Sequence, residues 1–123
     1  MILGIGTDLI EIDRIEKAFE RFGERFAKRI FTDEEIAYCT KFAHPFSHFA
    51  VRFAGKEAVI KALSLATLIG WKEISILNRR EGKPYVEFSE RLRYSIGSQN
   101  EVLITLSHSR EFATATALFL SKD

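Results

Sequence analysis

The sequence predicts a small α+β protein in which an antiparallel sheet packs against helices. Helical and extended patterns mix along the 123 residues without the regular strand–helix alternation of a doubly wound sheet. Hydrophobic residues make up 46% and charged residues 28%, an ordinary globular mixture that excludes a disordered chain. A chain of this length typically forms one domain with a real core. We therefore expect residues 1–123 to form a single domain.

The first thirty residues predict a strand and then a helix. Residues 2–7 are apolar with two glycines, which is typical of a short strand. Residues 10–29 carry apolar side chains at steps of 4, 3 and 4, as on the core-facing side of a helix. These side chains are Ile15, Phe19, Phe22 and Phe26. Gly23 weakens the helix by about 1 kcal/mol relative to alanine, so an end or a bend is expected there.

This predicted first helix carries opposite charges on two flanks. Its acidic flank comprises Asp13, Glu16, Glu20 and Glu24, and its basic flank comprises Arg14, Lys17, Arg21, Arg25 and Lys28. A basic flank is by default a solvated surface. The alternative is a docking face for an acidic partner, with Phe22 or Phe26 as an apolar anchor. The acidic flank on the same helix argues against a nucleic-acid face.

Two more helices are expected before the next strands. Thr32 and Glu35 have the spacing of a capping box, so a short helix should start there. Pro45 precedes a long helical pattern over residues 46–66. The apolar residues on its core face are Phe46, Phe49, Phe53, Ile60 and Leu63.

The remaining residues predict four strands and one short helix. Residues 80–84 form a glycine-containing turn between the first two strands. Ser89 can cap a short helix that Gly97 ends. A tight link over residues 107–111 joins the last two strands. The four strands are residues 72–78, 85–88, 101–106 and 112–120.

Charge balance and the single cysteine narrow the function classes. The 18 basic and 17 acidic residues leave a net charge of +1, which excludes a sequence-wide polycation for nucleic acid. Cys39 has no partner for an internal disulfide, which indicates a reducing compartment, and we expect it to be buried. No apolar run approaches the roughly 18 residues of a membrane helix, and the apolar start lacks the basic residues of a signal peptide. We expect a cytoplasmic protein without a nucleic-acid or membrane partner.

The Gly4-Ile5-Gly6-Thr7-Asp8 segment lies where a strand should give way to a helix. It has the first two glycines of a dinucleotide-binding loop, but Leu9 stands where the third glycine is needed. What remains is a carboxylate, Asp8, at the end of a strand. Asp8 either caps the following helix or belongs to a functional site.

Glu57 and Lys61 are four residues apart and share one face of the long helix. One interpretation is a solvated ion pair, which stabilises a helix only slightly. The helix is otherwise apolar, however, and its small residues Ala54, Gly55 and Ala58 let a ligand approach closely. Mg²⁺ takes one or two carboxylates plus water and phosphate oxygens, and lysine supplies a point charge to phosphate. The functional interpretation is therefore a metal and phosphate site.

A polar segment, Ser107-His108-Ser109-Arg110, follows the next-to-last strand. Its hydroxyls, imidazole and guanidinium can bind phosphate or accept a proton, although an ordinary polar turn is the alternative. A serine hydrolase is weakly supported because the Gly-x-Ser-x-Gly motif is missing. His44 and His48 have a metal-ligand spacing, but no third ligand stands at a matching offset.

Four segments taken together resemble the holo-[acyl-carrier-protein] synthases, the short type of 4'-phosphopantetheinyl transferase. The segments are Gly4-Ile5-Gly6-Thr7-Asp8-Leu9-Ile10-Glu11-Ile12, Arg52-Phe53-Ala54-Gly55-Lys56-Glu57-Ala58 with Lys61-Ala62-Leu63, Gly82-Lys83-Pro84, and Leu106-Ser107-His108-Ser109. Their order and spacing cover nearly the whole chain. The resemblance implies Mg²⁺-dependent transfer of 4'-phosphopantetheine from coenzyme A to a serine of apo-acyl carrier protein, in support of fatty acid biosynthesis. It also implies the 4'-phosphopantetheinyl transferase fold and homotrimers with active sites at subunit interfaces.

The resemblance also assigns residues. It implies metal ligands at Asp8 and Glu57 and a phosphate-binding lysine at Lys61. The coenzyme A contacts would fall on Arg52, Lys61, Gly82, Lys83, Pro84, Ser107 and His108. The carrier-binding residues would be Arg14, Arg21, Arg25 and Phe26. Lys61 would also help to protonate the departing bisphosphate, while Glu57, a metal-bound water or His108 could accept the serine proton.

The chain departs from the family pattern at two places. Gly55 stands where the family usually has alanine, which we expect to affect helix stability more than activity. The family's Gly-Thr-Gly is replaced by Ser64-Leu65-Ala66-Thr67. The sequence therefore does not assign this loop a role in coenzyme A binding. Two other classes remain open for these residues: a non-catalytic module that binds an acidic protein, and a metal-dependent phosphohydrolase.

Overall fold

Five strands and five helices make up residues 1–122, the part of the chain that the computed structural model describes. The strands are β1 (Ile2–Glu11), β2 (Ile74–Asn78), β3 (Pro84–Phe88), β4 (Asn100–His108) and β5 (Phe112–Ser121). The helices are α1 (Ile12–Phe22), α2 (Glu24–Ile30), α3 (Asp33–Cys39), α4 (Phe46–Leu63) and α5 (Glu90–Ile96). A 3-10 turn at Trp71–Glu73 precedes β2. The expected α+β class is confirmed.

Two antiparallel sheets form this architecture. The larger sheet has the order β1-β5-β4, and β2 pairs with β3 in a separate hairpin. In β5 the residues that alternate toward α4 are buried alanines, because small side chains let the helix lie close to the sheet. They are Ala113, Ala115 and Ala117. The long helix therefore crosses the sheet at short range and brings its side chains to β1.

The two glycines of β1 are required because α4 passes directly over them. A Cβ atom on Gly4 would lie 2.0 Å from the carbonyl oxygen of Ala62, and one on Gly6 would lie 2.1 Å from that of Ala58. Both distances are far shorter than any non-bonded contact, so only glycine fits at either position. The glycines that resemble a dinucleotide loop thus serve close packing of a strand against a helix.

Gly55 of α4 also makes room for a neighbour. A Cβ atom there would lie 2.3 Å from Cδ1 of Ile76 and 3.2 Å from Cδ1 of Ile104. Glycine lowers the helix propensity at this position, and Ile76 and Ile104 fill the space that a Cβ atom would occupy. The effect of Gly55 on the fold is therefore set by packing as well as by helix propensity.

The single helix predicted over residues 10–29 is wrong in two respects. Strand β1 continues through Glu11, because Ile10 and Glu11 pair with Ala113 and Phe112 of β5. The helix then breaks at Gly23, whose φ of +59° belongs to the region that favours glycine, and α2 begins as a separate helix. The basic flank is consequently divided between α1 and α2. Phe22, expected in the core, is 52% exposed.

The capping predictions are confirmed, and several boundaries move. Thr32 and Glu35 form a capping box at α3, and the Ser89 hydroxyl accepts from the backbone of Leu92 at α5. Helix α4 ends at Leu63 because Ser64 takes a left-handed conformation with φ of +46°. Strand β4 runs through His108, so Ser107 and His108 lie within a strand and the link to β5 is shorter than expected.

A buried ion pair that the sequence analysis missed joins α3 to α4. Lys56 Nζ lies 2.7 Å from Glu35 Oε1, and both side chains are fully buried. The pair is satisfied on both sides: Lys56 also donates to the carbonyl oxygen of Trp71 at 3.0 Å, and Glu35 accepts from the backbone of Ile76 at 2.8 Å. Removing either partner would leave an uncompensated buried charge. Cys39 nearby is buried as expected, and burial raises its pKa to about 12.

The outward face of the larger sheet is apolar and uncovered in the single chain. Ile5 and Leu9 of β1 are 65% and 66% exposed, and Leu103 of β4 is 45% exposed. Leu118 of β5 lies between Ile5 and Leu103 in one row, and Thr114 lies opposite Leu9. Within residues 1–122, no helix is long and apolar enough to cross a membrane.

Candidate active site

Two carboxylates from distant parts of the chain meet in one cavity. Asp8 comes from the middle of β1 and Glu57 from the middle of α4, which crosses that strand. Both line a cavity of about 270 Å³, together with Arg14, Phe26 and Phe53. The close packing of Ala58 on Gly6 sets the distance between helix and strand at this point. The predicted association of Asp8 with the Glu57 face of the long helix is thus present in the structure.

The environment of Glu57 disfavours the ionised form of its carboxyl group. Burial raises the pKa of Glu57, the negative charge of Asp8 raises it further, and Lys61 partly opposes both effects. Two hard oxygen donors with unbalanced negative charge fit Mg²⁺, which needs only one or two protein carboxylates. Across residues 1–122 no group of three or more His, Cys, Asp or Glu side chains could hold a metal, which is the arrangement that zinc would need.

Lys61 reaches across to β1 from the next turn of α4. Its Nζ donates to the carbonyl oxygen of Thr7 at 3.0 Å and lies 3.5 Å from Asp8 Oδ1. The Lys61 side chain is 54% exposed, whereas that of Asp8 is 19% exposed. The ammonium thus stands at the open side of the carboxylate pair. A solvated helix pair between Glu57 and Lys61 is not what forms, because Lys61 pairs with Asp8.

Asp8 is not the cap of the first helix. The residue at the N-cap of α1 is Glu11, which makes no side-chain capping bond, and Asp8 lies three residues earlier within β1. The backbone carbonyl of Asp8 accepts from the Thr114 hydroxyl at 2.8 Å. The capping alternative is therefore wrong.

Residues of the predicted carrier surface border this cavity. Arg14 of α1 and Phe26 of α2 form part of its wall. Arg25 and Phe26 also line a second groove of about 480 Å³ with the exposed Phe22 and with Trp71. Arg21 lies on the Phe22 ring, with its guanidinium carbon 5.1 Å from the ring centre. Despite the break at Gly23, basic and aromatic side chains of both helices lie beside the carboxylates.

Arg52 is in the interior, and the expectation that it contacts coenzyme A is corrected. It is 2% exposed, and its guanidinium stacks 4.4 Å from the centre of the Tyr38 ring. Its donors go to protein groups: Nε to the carbonyl oxygen of Ile76 and Nη1 to that of His48, both at 3.2 Å, and Nη2 to Asn78 Oδ1. A guanidinium enclosed in this way holds the chain together and does not face a ligand.

The Gly82-Lys83-Pro84 segment lies at an exposed turn. Gly82 and Lys83 belong to the turn itself, and Pro84 starts β3. Lys83 and Pro84 line a groove of about 440 Å³, whose opposite wall includes Thr105 and Thr116 of the outward sheet face. The turn is thus continuous with the uncovered face of the sheet.

His108 lies at the end of β4 in a third cavity. This cavity of about 350 Å³ is also lined by His44, Ser47 and Arg110. The ring of His108 is 6.3 Å from that of His48, which itself stacks on Phe42 at 3.6 Å. Burial, Arg52 and His108 lower the pKa of His48. Ser107 is exposed on the same strand. Within one chain, His108 does not share the cavity of Asp8 and Glu57.

The sequence model of the 4'-phosphopantetheinyl transferase superfamily matches residues 4–117. The chain belongs to this superfamily. Its match includes all the motif segments, from the β1 glycines to the end of β4 and most of β5.

Relatives of this transferase superfamily match nearly the whole chain. The holo-[acyl-carrier-protein] synthase of Chlamydia trachomatis serovar L2 is 46% identical over 119 residues, which is 95% of this chain and 98% of that protein. That of Protochlamydia amoebophila is 45% identical over 123 residues, which is 98% of this chain and all of the relative. The resemblance to holo-[acyl-carrier-protein] synthases is confirmed, as is the enzyme class. A purely binding module is therefore wrong.

Solved structures of transferases from this group share the fold. The holo-[acyl-carrier-protein] synthase of Neisseria meningitidis superposes with a TM-score of 0.90 at 30% identity, covering 98% of this chain and 100% of that one. The Helicobacter pylori enzyme in complex with coenzyme A gives 0.84 at 30% identity, covering 94% and 99%. These comparisons confirm the transferase fold.

Proposed function

We propose that the chain transfers 4'-phosphopantetheine from coenzyme A to a serine of an apo-acyl carrier protein and releases adenosine 3',5'-bisphosphate. One observation carries the proposal: Asp8 and Glu57 meet in a cavity that has Arg14 and Phe26 in its wall, and Lys61 Nζ lies 3.5 Å from Asp8 Oδ1. Metal ligands, a cation for phosphate and a basic surface for an acidic protein thus adjoin one another. The names of the relatives, and of solved transferases in complex with coenzyme A, support the same reaction.

The two carboxylates are assigned to Mg²⁺. Asp8 and Glu57 provide hard oxygen donors, and burial together with the charge of Asp8 raises the pKa of Glu57, so a bound cation would favour its ionised form. When bound, Mg²⁺ polarises the pyrophosphate oxygens of coenzyme A. Lys61 neutralises the charge that grows on the phosphate oxygens in the transition state, and it helps to protonate the departing bisphosphate.

The proton of the carrier serine has two acceptors among the chain's own residues. Glu57 lines the cavity in which the reacting groups would meet, so it is within reach of a serine placed there. His108 lines a separate cavity of the same chain, so it would serve only from a neighbouring subunit. Both stay proposals, and we favour Glu57 because it lines the same cavity as Asp8.

Coenzyme A is assigned to the exposed turn and to the end of β4. In the Gly82-Lys83-Pro84 turn, Lys83 offers a backbone donor and a cation, and Ser107 and His108 offer a hydroxyl and an imidazole. A single chain separates these groups from the carboxylates. We propose a homotrimer in which the apolar outward face of the larger sheet is covered by neighbouring copies, so that each site takes groups from two subunits.

The acyl carrier protein is assigned to the basic residues of α1 and α2. Arg14, Arg25 and Phe26 border the cavity or the adjoining groove, and Arg21 stacks on Phe22 of that groove. A docked acidic protein could thus present its serine to the carboxylates. We further propose that residues 1–123 act as one transferase domain in the cytoplasm, in support of fatty acid biosynthesis, with no nucleic-acid or membrane partner.

The mass of an intact carrier protein tests this function. Incubation with coenzyme A, Mg²⁺ and apo-carrier should add one phosphopantetheine group, and a chelator should prevent the gain. Asp8→Ala and Glu57→Ala should each lose turnover, while Glu87→Ala, an exposed carboxylate on β3, should not. Breakdown of coenzyme A without a carrier would instead indicate a phosphohydrolase. No mass gain with several carriers would overturn the proposal.

A further inference from the structure

Asn78, at the end of β2, joins the interior of the molecule to the exposed turn that carries Lys83. Its Oδ1 accepts a hydrogen bond from Arg52 Nη2. Its Nδ2 donates to the carbonyl oxygen of Gly82 at 2.8 Å. One half-buried amide thus connects helix α4, through Arg52, to the tip of the β2–β3 hairpin.

Arg52 is a fixed anchor for this connection. Two of its other donor groups bind the carbonyl oxygens of Ile76 and His48, and Tyr38 covers one face of the guanidinium. A guanidinium that is 2% exposed and bonded in three directions cannot rotate without losing several hydrogen bonds. It therefore holds the Asn78 amide in one orientation, with Nδ2 directed at the turn.

Apart from the Arg79 guanidinium, which lies 4.5 Å from the centre of the Tyr85 ring of β3, the turn has little else to hold it. Gly82 N donates to the carbonyl oxygen of Arg79, and Arg79 N donates to that of Lys83, both at 2.8 Å, so these bonds join turn residues to one another. Residues 79–83 are exposed, and no atom lies within 4 Å of a Cβ atom built on Gly82. In the described part of the chain, the Asn78 amide is the side-chain hydrogen bond that ties the tip of the turn to the core.

We infer that Arg52 and Asn78 are positioning residues that hold the turn in place for coenzyme A without touching it. The inference rests on the proposed assignment of Gly82, Lys83 and Pro84 to coenzyme A. The hydrogen bonds from Arg52 to Asn78 and from Asn78 to Gly82 form a relay. Arg52 belongs to the same helix as Glu57, so this relay fixes the turn relative to the carboxylate cavity of its own chain. A turn ordered before binding loses less conformational entropy when the ligand arrives, which lowers the dissociation constant.

Asn78→Asp separates the two halves of the relay. The aspartate keeps an oxygen acceptor for Arg52, with a charge-assisted bond, but it has no donor for the carbonyl oxygen of Gly82. We expect the KM for coenzyme A to rise about five- to tenfold, the effect of losing one hydrogen bond. The kcat, the KM for the carrier and the melting temperature should stay near wild-type values. Hydrogen exchange of residues 79–84 should become faster in the protein without coenzyme A.

Asn100→Asp is the matched control. Like Asn78, Asn100 donates from Nδ2 to a backbone carbonyl oxygen four residues away in sequence, in this case that of Ile96. The substitution adds the same negative charge, but at the start of β4. It should change neither the KM for coenzyme A nor the exchange of residues 79–84. Repeating the assays at high salt removes long-range charge effects, so a rise in KM that persists belongs to the lost bond.

The two readouts separate the relay from the proposed function. If Asn78→Asp leaves the exchange of residues 79–84 unchanged, the relay does not hold the turn and the inference is wrong. If the turn exchanges faster but the KM for coenzyme A does not change, its link to coenzyme A is wrong. Should the wild-type protein transfer nothing, the proposed function fails, and the exchange measurement still decides whether Arg52 and Asn78 order the turn.

Discussion

Glu57 sits where the fold alone does not favour an ionised carboxylate. It is partly buried in the cavity that it shares with Asp8, and both burial and the charge of Asp8 raise its pKa. Groups that carry function often destabilise the protein that holds them, because their charges await a ligand. The same side chain should therefore weaken the empty protein and strengthen the protein with bound metal.

Glu57→Gln should raise the melting temperature of the metal-free protein at neutral pH by a few degrees. Because the folded-state pKa is raised, ionisation of Glu57 costs folding free energy above that pKa and nothing below the unfolded value of 4.5. The gain should thus be present at pH 7 and vanish as the pH falls through the raised pKa to below 4.5. Thermal scans from pH 3.5 to 8 with a chelator measure it.

Added Mg²⁺ should distinguish the wild type from the Glu57→Gln variant. It should stabilise the wild type by mass action and leave Glu57→Gln unchanged. Glu87→Gln, which neutralises an exposed carboxylate, should behave as the wild type in both experiments. A Glu57→Gln protein that melts below the wild type at pH 7 without metal would contradict the account of its environment.

Gly55 and Ile76 should show a favourable coupling in a double-mutant cycle. Gly55→Ala gains about 1 kcal/mol of helix propensity but places a methyl group against Ile76 Cδ1, and overpacking costs about 1–3 kcal/mol. Ile76→Val removes that Cδ1 and alone costs about 0.5–1.5 kcal/mol. Urea unfolding should show the double variant more stable than the sum of the singles by about 1 kcal/mol. Additive effects would contradict the packing shown here.

At the scale of elements, the chain folds its first helices differently from the pattern of its side chains. The charge and apolar spacing of residues 12–29 is continuous, yet Gly23 divides the segment into α1 and α2. The basic residues differ in their partners. Lys17 pairs with Asp13 at 2.8 Å and Lys28 with Glu24 at 3.7 Å. Within residues 1–122, Arg14, Arg21 and Arg25 take part in no such ion pair, which leaves their charges available to a carrier.

Arg21→Gln should raise the KM for the acyl carrier protein about two- to fivefold and leave the KM for coenzyme A unchanged. The effect should shrink at high salt, because an exposed charge is screened. Lys122→Gln is the control with the same change in net charge. Lys122 follows β5 at the end of the sheet opposite α1, roughly 30 Å away along the strand. Equal effects of the two substitutions would show that only net charge matters.

Local signals predicted the elements that are held by local bonds. The capping box at Thr32 and Glu35, the Ser89 cap and the Gly97 end all lie within one helical turn of what they bind. The extension of β1 through Glu11 depends on Phe112, which lies about a hundred residues away. No window of neighbouring residues contains that information, so the helix there was predicted to start too early.

The residues of the candidate site likewise divide into those that local motifs predict and those that depend on distant contacts. Asp8, Glu57 and Lys61 follow from motifs whose chemistry is visible in each segment. The burial of Arg52 depends on β2 and on Tyr38, and the role of Asn78 depends on both Arg52 and the turn. An asparagine before a turn has no sequence signal that distinguishes it from any other. The ion pair between Glu35 and Lys56 could not be predicted for the same reason, because the two residues are 21 positions apart in the sequence.

At the scale of the whole molecule, the outward sheet face and the separation of the cavities point the same way. The groove at Lys83 reaches Thr116 and Leu118 on that face. A neighbouring copy that covers the face would therefore meet the turn. The proposed trimer makes one site from the carboxylate cavity of one subunit and the turn of the next.

Mixing two inactive proteins tests this arrangement. Glu57→Gln and Lys83→Ala damage different halves of the proposed shared site. When equal amounts of the two are unfolded and refolded together, about a quarter of all sites should combine two intact halves. Activity should return to roughly that fraction of the wild-type value, while each variant refolded alone stays inactive or weak. Sedimentation measures the trimer, and its presence without recovered activity would mean that each site lies within one chain.

The strand order has a consequence for the protein's synthesis. Within residues 1–122, the strand that carries Asp8 pairs only with β5, and the partner of Asp8 there is Ala115, more than a hundred residues later in the chain. At translation rates of about 5–20 residues per second, a ribosome needs on the order of 5–20 s to join these two partners. Until then the first carboxylate has no sheet to hold it. An unfinished chain therefore cannot assemble the proposed metal site, and the last strand made completes it.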